Sequence, residues 1–175
     1  MDKLLNFFIR EPEQEFYVRQ LSKLLNKSPT TISNHLKEYR KKQILKSEKK
    51  FNHLLFRANT QNQKFKQLKL NHNLNLLTES GLIDYLVKEF NHPEAIILFG
   101  SFAKAEDIPQ SDIDLLIINP SNKQVDLKDF EKKIQHKIQL FVHSKKEINK
   151  MKTTNTNLLN NLINGITLNG FWEVF

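Results

Sequence analysis

The spacing of apolar side chains changes three times along the chain, and each change predicts a different kind of element. Leu4, Leu5, Phe8 and Ile9 share one helical face. Glu11-Pro12 ends that helix, because a residue before proline is pushed out of the helical region. Phe16-Tyr17-Val18 reads as a short extended lead into a second helix, with Leu21, Leu24 and Leu25 as its buried stripe. Ser28-Pro29 starts a third, with serine as N-cap and proline at the first helical position. The runs Ile44–Lys50 and Leu54–Arg57 are β-prone and enclose Phe51-Asn52-His53, which predicts a hairpin with that segment at its tip. Residues 61–77 hold Phe65, Leu68, Leu70, Leu74, Leu76 and Leu77 without glycine or proline. They read as a helical connector leading into Leu82–Val87, with apolar positions for core or homodimer contacts. Two apolar runs ending at Phe99 and Ile118 then read as buried strands. Lys137–Val142 is the next strand, after a helix expected to carry Asp126, Asp129 and Glu131 as surface charges.

Composition adds two exclusions and one asymmetry. The 175 residues contain no cysteine, so disulfide frameworks and thiolate zinc sites are ruled out. No apolar run reaches the roughly 18 residues of a membrane span. The first residues lack a secretory pattern, and a cytoplasmic protein without a membrane partner is expected. The net charge of +8 is unevenly placed: residues 1–60 carry 13 Lys/Arg against 6 Asp/Glu, whereas residues 91–175 carry ten of each. A basic first third beside a neutral remainder predicts two modules, one of them a polyanion binder.

The third helix shows how that module would work. Ile32, Leu36 and Tyr39 fall on one face, while Thr30, Ser33, Asn34 and Lys37 fall on another. Short polar and basic side chains on one face suit base edges and phosphates in a major groove. Lys46, Lys49 and Lys50 of the hairpin are placed for phosphate contact. The order helix, short strand, helix, capped helix and basic hairpin over residues 1–60 resembles a winged helix-turn-helix domain. The run from Tyr17 to Leu36 is similar to those of prokaryotic transcription regulators. The resemblance implies double-stranded DNA as a partner. The bland alternatives are a helical domain with a solvated lysine face, or a protein-interaction module.

Chemistry concentrates at residues 94–118. The first apolar strand ends in Gly100-Ser101, and the second opens with Asp112-Ile113-Asp114. Side chains two apart on a strand point the same way, so the two aspartates stand together, at a cost unless a cation lies between them. Gly100 has no side chain, which lets the backbone and Ser101 approach a phosphate. Phosphate donors beside paired carboxylates make a metal–nucleotide site.

Gly-Ser, ten intervening residues and Asp-x-Asp within hydrophobic strands resembles the signature of polymerase-β-like nucleotidyltransferases, best the minimal archaeal and bacterial type. The match covers residues 78–175. It implies an α+β fold with a small mixed sheet flanked by helices, in which Asp112 and Asp114 ligate Mg²⁺ (or Mn²⁺). Gly100 and Ser101 would hold the phosphates of an NTP, ATP being the one expected, and Lys104 stands where the family usually has a basic residue. Asn164–Gly170 is similar to the segment that often closes these domains. Two positions depart from the pattern: Ala105 replaces a common glycine, and Gln139 stands where the family usually places a third carboxylate. Two functions remain open from the sequence. One is transfer of a nucleoside monophosphate to a hydroxyl acceptor. The other is a transcriptional regulator whose second domain is catalytically degenerate and acts as a nucleotide sensor or dimerisation module.

Overall fold

Asp2 accepts the Leu4 amide at 3.1 Å and so caps the first helix, α1 (Lys3–Arg10). The computed structural model describes residues 2–50 and 52–173; Met1, Phe51 of the expected hairpin tip, Val174 and Phe175 lie outside the described residues. The chain divides into two compact units, residues 1–69 and 70–175.

In the first unit α1 is followed by β1 (Phe16–Tyr17), α2 (Val18–Leu25), α3 (Pro29–Lys41), β2 (Leu45–Lys50) and β3 (His53–Ala58). The strands form an antiparallel sheet in the order β1-β3-β2. Ser28 caps α3 through the Thr31 amide at 3.1 Å, ahead of Pro29. The helices bury Leu4, Phe8, Leu21, Ile32 and Leu36 against Phe16 and Phe56 of the sheet. Truncating such a phenylalanine costs roughly 3–5 kcal/mol, so these residues hold the unit together.

The expected stripe of α2 needs a correction. Leu21 is fully buried, but Leu24 is 56% exposed. Leu24 lies about 100° round the helix from Leu25, and only the Leu21–Leu25 line faces the core.

The helix α4 (Gln63–Ser80) runs unbroken through the residues expected as a connector. Its early residue Phe65 completes the first core, while Leu77 belongs to a core of the second unit. Lys69 is buried, and its ammonium donates to the Ile9 carbonyl at 2.8 Å. A cation there meets the negative end of α1.

The second unit continues with α5 (Leu82–Glu89), β4 (Ala95–Phe99), α6 (Gly100–Lys104), β5 (Ile113–Ile118) and α7 (Lys128–Ile134). It closes with β6 (Ile138–His143), α8 (Lys145–Thr154), α9 (Thr156–Ile163) and β7 (Ile166–Gly170). The strand order is β6-β5-β4-β7; β5 and β6 run parallel through the α7 crossover, and the other pairs are antiparallel. One face packs Leu98, Ile113 and Leu115 on Leu82, Leu86, Phe102 and Ile134. The other packs Ile97, Leu116 and Ile118 on Ile148, Met151, Leu159 and Leu162. With both faces covered, β4 and β5 must be apolar at nearly every position, and the exception at Asp114 identifies the site. Among the described residues, no helix is long and apolar enough to cross a membrane.

Candidate active site

Strand register assembles the site. Asp114 of β5 lies opposite Phe99 of β4 on one side and opposite Gln139 of β6 on the other. Phe99 is the last residue of its strand, so the chain turns at Gly100 beside the Asp114 side chain. Gly100 has φ +72°, a conformation open to glycine and costly for other residues. A Cβ at Gly100 would stand 2.2 Å from the Asp114 carboxylate oxygen. Glycine is therefore favoured twice, by its backbone angle and by the carboxylate that fills its vacant side-chain position.

Asp112 precedes β5 and shares the side of Asp114, and its carboxylate accepts a hydrogen bond of 2.6 Å from Gln139 Nε2. Burial, and then the nearby negative charge of Asp112, hold the Asp114 carboxyl above its ordinary pKa. The two aspartates are thus crowded in the way the spacing predicts, with a neutral amide offsetting part of the charge. Among the described residues, no three or more His, Cys, Asp or Glu come together as a metal-holding group. Two carboxylates still match the donor set of Mg²⁺ where phosphates and water complete its shell.

Gly100 and Ser101 open the short helix α6, and Lys104 ends it. Lys104 lies three and four residues on, on the same helical face, and is exposed. Ala105 follows at φ +55°, 5% exposed. A left-handed alanine costs roughly 1–2 kcal/mol. Its buried methyl returns roughly 0.8 kcal/mol, which offsets part of that cost.

Two further contacts outside the motif hold its surroundings. Asn73 is buried and donates to the Phe102 carbonyl at 3.1 Å and to the Asp107 carboxylate at 2.7 Å, pinning α6 and the loop after it. His136 shares a hydrogen bond of 2.8 Å with the Ser111 carbonyl, one residue before Asp112. Nothing local in the sequence announces these contacts, which join residues 25 or more positions apart. Glu131, expected as a surface charge, accepts the Ile138 amide at 3.0 Å and secures the start of β6.

In the first unit Thr30, Asn34 and Lys37 are exposed along α3, while Ser33 is half-buried. Lys46 and Lys49 are exposed on β2. Lys50 differs: its ammonium lies 2.8 Å from Glu15 and 3.5 Å from Glu48, and Glu15 raises its pKa. Its charge is paired within the unit, with Glu15.

No curated protein and no solved structure matches the chain. Residues 81–169, just over half of the sequence, match the family model described as polymerase beta, nucleotidyltransferase. The match spans the Gly-Ser turn, the aspartate pair and the strand of Gln139, and the chain belongs to the polymerase beta nucleotidyltransferase family.

Proposed function

We propose that the chain binds a magnesium-bound NTP and transfers its nucleoside monophosphate to a hydroxyl acceptor. The observation that carries this reading is the packing of Asp114 into the space left by the missing Gly100 side chain. Backbone donors suited to phosphate would then lie beside paired carboxylates suited to a metal. Asp112 and Asp114 would hold the ion, which when bound supplies charge neutralisation for the phosphates. Gly100 and Ser101 would position the phosphates through backbone amides, and Lys104 would add a cation on the same face. Incubating the protein with α-labelled ATP, Mg²⁺ and cell extract tests the reading. Transfer of label that disappears in Asp112→Asn supports it, and equal labelling in that variant sinks it.

The first unit is proposed as a winged helix that binds duplex DNA, with α3 in the major groove and the β2–β3 hairpin as wing. Support comes from the three helices with a three-stranded sheet and from the exposed Asn34, Lys37, Lys46 and Lys49.

A second reading draws on the Gln139–Asp112 hydrogen bond. An amide in that position binds Mg²⁺ weakly and accepts no proton, which favours a DNA-bound nucleotide sensor without turnover. Stabilisation by Mg²⁺–ATP without label transfer is its expected signature.

A further inference from the structure

Transfer to a hydroxyl needs a group that takes the hydroxyl proton, and Gln139 cannot. We propose that His136 is that general base, with Nε2 accepting the proton; this rests on the nucleotidyltransferase reading above. His136 lies between α7 and β6. Its Nδ1 is 2.8 Å from the Ser111 carbonyl, which can only accept, so Nδ1 carries the hydrogen. A neutral ring then has its free lone pair on Nε2. The ring stands perpendicular to buried Phe102, with centroids 4.8 Å apart and an interplanar angle of 84°. Those two contacts fix both its plane and its tautomer.

His136 is half-buried. The ring lines a groove of about 510 Å³ that Asp112 also lines. The base and a proposed metal ligand therefore share one cavity. The charged groups facing it are Asp112, then Lys128, Glu131 and Lys132 of α7, and Lys137 before β6. Glu131 is engaged by the Ile138 amide, and the lysines are donors, which leaves the imidazole to take the proton. In the step, the acceptor O–H proton moves to Nε2 as its oxygen bonds to the α-phosphorus. The bond from that phosphorus to the bridging oxygen breaks, pyrophosphate leaves, and the imidazolium later returns its proton to solvent.

His136→Gln tests this in the full-length protein, because glutamine keeps an amide donor for Ser111 and loses the base. Label transfer from α-labelled ATP to a cell extract is read in wild type and variant under the same conditions. Mg²⁺–ATP affinity is read separately by calorimetry. Transfer should fall by about 10²–10⁴, with affinity unchanged. Unchanged transfer overturns the proposal, as does a wild type that binds Mg²⁺–ATP but transfers nothing. Nitrogen-15 NMR should show the Nδ1–H tautomer at neutral pH, and the Nε2–H tautomer also overturns it. A wild type that binds no Mg²⁺–ATP defeats the nucleotidyltransferase reading itself, and this inference with it.

Discussion

Gln139 donates its side-chain amide to the Asp112 carboxylate at 2.6 Å, placing a neutral donor against one member of the aspartate pair. Replacing it with aspartate exchanges an attraction for a repulsion. Gln139→Asp should lower the melting temperature of the metal-free protein and tighten Mg²⁺ binding by about tenfold or more, since carboxylate is the preferred ligand of a hard cation. Melting curves with and without Mg²⁺ read both effects. An unchanged affinity would mean that position 139 takes no part in the metal site.

Asp114 gives a prediction whose sign follows from its raised pKa. The folded chain holds the Asp114 proton more tightly than the unfolded chain does. Stability therefore falls as pH rises from the ordinary value of 3.8 through the raised one. Asp114→Asn removes that penalty. The variant should melt above wild type at neutral pH, and the two should converge below about pH 3.8, where the aspartate is protonated in both states. A gain that persists undiminished in acid would point to another cause.

Two glycines separate activity from stability. A Cβ at Gly100 meets a side chain, Asp114, at 2.2 Å, whereas a Cβ at Gly170 meets the Glu94 backbone carbonyl oxygen at 2.0 Å. Both have positive φ, so alanine costs each roughly 1–2 kcal/mol in conformation. At Gly100 the carboxylate can swing away, so Gly100→Ala should fold and lose Mg²⁺–ATP binding. At Gly170 strand pairing opposes any shift, so Gly170→Ala should unfold at lower temperature. Calorimetry and melting curves on both variants should show this crossed pattern.

Binding of duplex DNA should depend steeply on salt, because lysines on phosphates release counterions. Lys46→Ala with Lys49→Ala should reduce the slope of log affinity against log salt by about 2 and weaken all sequences alike. Lys50→Ala should change it little, since that ammonium is paired with Glu15. Asn34→Ala should instead change which sequence is preferred. Mobility shifts over a salt series decide, and an absence of binding at low salt removes the DNA-binding reading.

Most elements were legible because their cues are local. Ser28-Pro29 announces α3 by capping chemistry, and the apolar run before Gly100 announces β4 by its burial on both faces. Leu24 misled because leucine at helical spacing signals burial only if a partner covers that face, and the first unit supplies none there. The pairing of Lys50 with Glu15 was not legible for a complementary reason: it joins residues distant in sequence.

The sequence by itself determined the Gly-Ser turn, the adjacency of Asp112 and Asp114, and the basic excess of the first sixty residues. Each follows from neighbours along the chain or from composition. Tertiary structure decided what meets across strands and loops. It set the Gln139 amide on Asp112, the Asp114 carboxylate in the empty place of the Gly100 side chain, Asn73 under α6, and His136 on the Ser111 carbonyl. Those contacts depend on register and on the packing of elements remote in sequence, and a hydrogen bond reaching only about 3 Å leaves no trace in the order of residues.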